Sequence, residues 1–139
     1  RLKNLFKTSL GKYINPDVIE GKFSESGFIE NIVVLGENQK YAGAIIVPDF
    51  AFLKTWCHKH EIKYTTPQEM IKNPDVKIRY AEEVKKLNQN FGDTEKIKRY
   101  ELIADEWSVN NGILTPTLKV KRNIVKEQYK ELIETMYKD

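Results

Sequence analysis

Tyr41 to Val47 (Tyr-Ala-Gly-Ala-Ile-Ile-Val) is the stretch that most limits what this chain can fold into. It is apolar nearly throughout and of strand length. With no alternation between a wet and a dry side, such a strand is buried on both faces. Extended to Pro48 it is the longest apolar run in the sequence, far short of the ~18 residues of a membrane-crossing helix. The chain has 139 residues, 40% of them apolar, enough for one domain, or one with a small appendage, around a real core.

The flanking segments supply the other elements. Residues 4–14 read as a short hairpin, with Gly11 free to take a positive φ in its turn. Asn15-Pro16-Asp17 reads as a helix start, with Asn15 as cap and Pro16 in the first helical position, and the helix runs to about Ser24. Phe28 to Leu35 reads as a strand, joined to Tyr41–Val47 by Gly36–Lys40. Leu53, Trp56, Cys57 and His60 make a helical stripe, Thr66 caps a short helix, and Asn73 caps a longer one. The longer helix keeps Val76, Tyr80, Val84, Leu87 and Phe91 on one face up to Gly92. Ile97 to Ala104 is a third strand, Asn110-Asn111-Gly112 a turn, and Val125, Tyr129, Leu132 and Met136 the stripe of a final helix. The expected class is α+β: a small, mostly antiparallel sheet with an N-terminal hairpin and helices packed on it.

Charge is unevenly spread. Residues 1–12 contain Arg1, Lys3, Lys7 and Lys12 and no acid; residues 108–126 contain Lys119, Lys121, Arg122 and Lys126 and no acid. Setting those eight aside from the 23 basic residues leaves 15 against 20 acidic ones. Two basic strips on an acidic body form one anion-binding surface if the fold joins them. Several other signals dissolve on inspection. Cys57, His58 and His60 are too few for a tetrahedral zinc site, so no metal site is expected. Gly36–Lys40 lacks the second glycine and the Lys-Ser/Thr pair of a phosphate loop. Glu82 and Glu83 point about 100° apart on a helix among lysines, and read as a solvated face. A single cysteine excludes an internal disulfide and leans towards a reducing compartment. No segment reads as a signal peptide, and Arg1 in place of Met points to a chain processed or cut from a longer one.

Two motifs carry chemistry. In Leu114–Arg122 (LTPTLKVKR), Pro116 fixes its own φ and pushes Thr115 out of the helical region, so the strip is extended or turned. It presents hydroxyls and the long-stemmed ammonium of Lys119, a reach suited to a phosphate or carboxylate held on another surface. In Lys7–Ile14, backbone amides, two hydroxyls and two ammonium groups surround one tight turn able to grip an anion or line a channel. Each strip taken alone is equally an ordinary solvated basic surface.

Together, in order, they resemble a known domain. Arg1–Glu20 (RLKNLFKTSLGKYINPDVIE), followed by Leu114–Arg122 and a terminal helix, resembles the C-terminal lid of AMP-forming acyl-CoA synthetases, in the branch of long-chain fatty acid–CoA ligases. Such lids open with a Lys-Thr-Ser-Gly-Gly-Lys-Tyr-Ile hairpin and a Pro-x-x-Ile-Glu helix start, and end with Leu-Thr-Pro-Thr-Leu-Lys. The resemblance implies a two-step reaction of a long-chain fatty acid with ATP (and Mg) and then CoA, these held mainly by an N-terminal adenylation domain. It implies that residues 1–139 are a lid beginning almost at the hinge, inactive alone, with no nucleic-acid partner. The full enzyme would be cytoplasmic, cytosolic or peripherally membrane-associated. By position, Lys119 matches the catalytic lysine, Lys3 the hinge, Arg1 an arginine near the nucleotide, and Lys12 a phosphate contact. Ser9, Leu10 and Gly11 match the turn lining the CoA channel, and Glu20 an acid read as structural. Leu10 stands where glycine is common; if that residue needs a positive φ, leucine fits badly there. The alternatives are the lid of another adenylate-forming enzyme, such as an aryl-CoA ligase or a peptide-synthetase adenylation domain, or a basic nucleic-acid-binding module.

Overall fold

The computed structural model describes residues 5–138. A two-stranded ladder, β1 (Phe6–Lys7) and β2 (Tyr13–Ile14), leads into α1 (Pro16–Phe23), then β3 (Ile29–Leu35) and β4 (Gly43–Pro48). Helices α2 (Phe50–Lys59), α3 (Pro67–Met70) and α4 (Pro74–Asn88) precede β5 (Arg99–Leu102), and α5 (Arg122–Gln128) and α6 (Lys130–Tyr137) close the chain. The expected helix starts are there because each is made locally. Asn15 accepts from the Asp17 N–H, Thr66 from Glu69, and Asn73 from Asp75 and Val76, each before a proline in the first turn.

The main sheet has the order β3-β4-β5, with β3 antiparallel and β5 parallel to the central β4. All six residues of β4 are buried, as its unbroken apolar character requires. The pleat divides its side chains between two cores. Ala44 and Ile46 join Ile32, Val34 and α1, α2 and α4 residues such as Ile19, Leu53 and Tyr80 on one face. Ile45 and Val47 join Val33, Leu35, Trp107, Val125 and Tyr129 on the other. The fold is therefore α+β, with two of its three strand pairs antiparallel.

Besides shifts of bounds (β4 is Gly43–Pro48 rather than Tyr41–Val47, and α4 ends at Asn88, short of Phe91), three expectations change. The third strand covers Arg99–Leu102 rather than Ile97–Ala104: the Asn88 side chain bonds both the N–H and the C=O of Ile97 at 2.9 Å, taking that residue out of the ladder. The final helix is two helices meeting at Tyr129 (φ −108°, ψ 24°), whose hydroxyl donates to Asp105 at 2.7 Å and accepts from Trp107 Nε1 at 3.0 Å. Burial and the bond to Asp105 push the Tyr129 hydroxyl up to about 12.

Glu83 is the third correction. It is not part of a solvated face with the exposed Glu82 but is buried. Its carboxylate accepts from Ser26 Oγ at 2.7 Å and from the Arg79 guanidinium at 2.8 Å, and that guanidinium lies 4.6 Å from the centre of the Phe28 ring. The helical period puts Glu83 on the buried face beside Val76, Tyr80 and Leu87, and Ser26 and Arg79 supply the bonds that let a carboxylate sit there.

Candidate functional site

The site is built on two turns with one backbone plan. In the first, Thr8 N–H donates to Lys12 O at 2.9 Å, Gly11 N–H to Thr8 O at 3.0 Å, and Lys12 N–H to Thr8 Oγ1 at 3.2 Å. In the second, Thr115 N–H donates to Lys119 O at 2.8 Å, Leu118 N–H to Thr115 O at 2.7 Å, and Lys119 N–H to Thr115 Oγ1 at 3.1 Å. Each is a three-residue hairpin connection whose last residue is left-handed: Gly11 at φ 80° and Leu118 at φ 65°. A threonine opens each turn and a lysine closes it. Antiparallel pairing continues outward, Phe6–Ile14 and Lys7–Tyr13 in one, Leu114–Val120 in the other.

Leu10 does not occupy the left-handed position, since Gly11 takes it, so leucine fits this turn without backbone strain. Leu10 is exposed at the tip, 67% accessible, and Ser9 is fixed by its N–H to Gln39 O at 2.9 Å. Lys12 and Lys119 are both exposed, and among the described residues neither forms an ion pair. Arg1 and Lys3 lie outside the described residues.

Arg122, just beyond the second turn, ties that turn to α1 and β3. Its guanidinium reaches Glu20 of α1 at 2.5 Å and Val34 O of β3 at 3.3 Å, while the same Glu20 oxygen accepts from the Val34 N–H at 2.7 Å. Glu20 and Arg122 are about one-fifth exposed. Burial pushes the Glu20 carboxyl above its ordinary value, opposed by the Arg122 charge and the Val34 bond. Glu20 is thus structural, as expected, but its partner was missed: Arg122 carried no signal beyond its charge.

The second basic strip borders an open cleft of about 630 Å³, lined by Lys121, Arg122 and Lys126 together with Leu5 and Phe6, but Lys7 and Lys12 of the first strip do not line it. The second strip is less available than its composition implies. Arg122 is held by Glu20, and Lys126 meets Glu37 at 3.1 Å. Elsewhere, Cys57 is buried with its thiol pushed up by that burial, His58 and His60 are exposed, and His60 packs on Trp56. Among the described residues no group of three or more His, Cys, Asp or Glu side chains could hold a metal ion, and no helix is long and apolar enough to cross a membrane.

Residues 4–139 match the family model of the AMP-binding enzyme C-terminal domain. The chain belongs to that family. This AMP-binding enzyme C-terminal domain is 34% identical over 140 residues to long-chain-fatty-acid–CoA ligase 6 of Homo sapiens, covering 99% of this chain and 20% of that protein. To the peroxisomal long chain acyl-CoA synthetase 6 of Arabidopsis thaliana it is 31% identical over 142 residues, covering 100% of this chain and 20% of that protein. Its fold recurs in the adenylation domain of a carboxylate reductase from Mycobacterium chelonae, with TM-score 0.78 at 20% identity, over 100% of this chain and 20% of that one. The AMP-binding C-terminal domain thus spans a fifth of the length of the relatives it matches.

Proposed function

We propose that this domain is the mobile C-terminal lid of a long-chain fatty acid–CoA ligase, with Lys119 serving acyl-adenylate formation and the Thr8–Lys12 turn serving thioester formation. In the first step a fatty acid carboxylate oxygen attacks the α-phosphorus of ATP; the acyl–O–P bond forms, the Pα–O–Pβ bond breaks, and pyrophosphate leaves. In the second, the CoA thiol loses its proton and attacks the acyl carbon, breaking the acyl–O bond and releasing AMP. The Lys119 ammonium bridges carboxylate and α-phosphate, orienting two anions that repel each other and offsetting the charge that builds on the phosphoryl oxygens. Ser9, Leu10 and Gly11 line the pantetheine path, Lys12 and Arg1 contact the nucleotide, and Lys3 is the hinge. ATP, its Mg and the acyl chain are held by an N-terminal adenylation domain of the longer protein, so the lid alone is inactive and acts by gating.

The observation that carries this reading is the setting of Lys119: exposed, unpaired among the described residues, at the end of a turn anchored to α1 through Arg122 and Glu20. A nucleic-acid module fits less well, because acids of the chain itself neutralise two of the four cations in the second strip. In the full-length enzyme, Lys119→Ala should abolish most pyrophosphate release while thioester formation from supplied acyl-adenylate persists. Normal adenylation by that variant would overturn the role given to Lys119. Lys3→Pro should hold one lid orientation and spare one half-reaction; equal loss of both would remove the hinge assignment.

A further inference from the structure

We propose that Leu118 is a docking residue, whose side chain packs on an apolar surface of the N-terminal adenylation domain in the adenylation orientation and so seats Lys119; the proposal rests on the reading above. The turn containing Leu118 has the same hydrogen bonds as the turn containing Gly11, and the last connecting residue of each is left-handed, at φ 65° and 80°. Glycine takes that conformation without the clash between Cβ and carbonyl oxygen that any L side chain brings. Leu118 therefore carries backbone strain that its counterpart does not.

The Leu118 N–H bonds Thr115 O at 2.7 Å, but among the described residues no core packing of its side chain offsets that strain. Leu118 is 66% exposed, belongs to neither core, and has exposed Pro116 and Thr117 as neighbours. Left-handed non-glycine residues cluster at functional sites, and of Asn38, Glu61 and Leu118, which have this conformation among the described residues, only Leu118 is apolar. Leu10, equally exposed, has no such strain, so exposure there carries no comparable argument. The receiving surface follows from chain geometry. Leu118 and Lys119 are adjacent, with Cα atoms about 3.8 Å apart. Whatever surface presents carboxylate and phosphate to the Lys119 ammonium therefore lies within reach of Leu118. In the relatives the matched region is 20% of the protein, and the remaining four-fifths supplies that surface. An anionic membrane is a different occupant for a leucine among lysines, and the experiment separates the two.

The full-length enzyme is used throughout. Single-turnover pyrophosphate release reads adenylation, and conversion of supplied acyl-adenylate reads the second step. Leu118→Ala and Leu118→Gly should each slow adenylation roughly tenfold to a hundredfold, the scale of a small misplacement of a reacting group. Both should leave thioester formation unchanged, and Leu118→Met should restore most of the rate. Leu118→Gly relieves the left-handed strain, so it should keep or raise the melting temperature even as adenylation falls, an outcome that a purely structural role does not give. Ile78→Ala, which removes a 59% exposed side chain on α4, should change neither step. Parent-like adenylation by Leu118→Gly overturns the proposal. So does parent-like adenylation by Leu118→Ala together with lost binding to phosphatidylcholine–phosphatidylserine vesicles, which would make the contact a membrane one. Lys119→Ala distinguishes the two levels: if it adenylates normally the underlying reading fails, whereas if it is inactive and the Leu118 variants are not, this proposal alone fails.

Discussion

Thr8–Lys12 and Thr115–Lys119 close by the same three hydrogen bonds, yet one has glycine at its left-handed residue and the other leucine. Their surroundings differ in a matching way. The first turn is embedded: Thr8 is buried, and the Gly36–Gln39 loop is tied alongside through Asn38 N–H to Lys7 O and Ser9 N–H to Gln39 O. The second is held mainly at its base, by Lys121 N–H to Ile113 O at 2.8 Å and by the Arg122–Glu20 clamp, while its tip is free. A backbone plan that sequence chemistry can write twice is thus supported once by a neighbouring loop along its length and once only at its base, by backbone bonds and a long-range ion pair.

The comparison breaks first, and by the largest margin, at the lysines. In the full-length enzyme, Lys119→Ala should slow pyrophosphate release about 10²–10³-fold, the scale of removing one preorganised charge contact. Lys12→Ala should cost clearly less in that step, and equal losses would erase the functional distinction between the turns. Next comes the clamp. Arg122→Ala strands a largely buried carboxylate; full burial makes such a loss 3–5 kcal/mol, and partial exposure here reduces the expectation to about 2 kcal/mol. The urea midpoint of the 139-residue chain measures it, and adding Glu20→Gln should recover part of the loss if the pair is coupled. Full additivity of the two changes would mean that the clamp is not what holds the second turn.

The smallest effects compare the left-handed residues directly. A Cβ on Gly11 meets nothing nearer than Lys7 Cε at 4.0 Å, so Gly11→Ala tests conformation alone and should destabilise the chain by about 1 kcal/mol. Leu118→Gly should have the opposite sign or no effect, within about 1 kcal/mol, because relief of strain is set against the greater freedom of glycine in the unfolded chain. If both substitutions destabilise equally in urea unfolding, the two turns are not equivalent.

Where sequence and structure agree, the interaction is short in the chain. Asn15, Thr66 and Asn73 cap helices by bonding N–H groups two or three residues away, so each start is readable from a few letters. Gly11 in the first turn is readable for the same reason. The two-sided burial of β4 was also legible, because an uninterrupted apolar strand leaves no face for water. Glu83 was misread although the helical period sets it beside Val76, Tyr80 and Leu87: what the sequence did not announce is Ser26, 57 residues away, whose hydroxyl lets a carboxylate sit on that face. The shortened third strand depends on the Asn88 side chain crossing nine residues to take both polar groups of Ile97.

For the candidate site the division is the same. The two Thr-to-Lys motifs, their order and the family they point to were present in the residues themselves, since a proline, a glycine and the closing threonine bonds act within five positions. That Leu118 is left-handed as well, with no glycine to mark the position, depended on where the second strand pair closes. That Arg122 is no free cation of a basic strip but the clamp between the second turn and α1 depended on a contact spanning 102 residues. Local chemistry sets turns and caps; only the packed fold decides which charges stay available and which are spent holding the domain together.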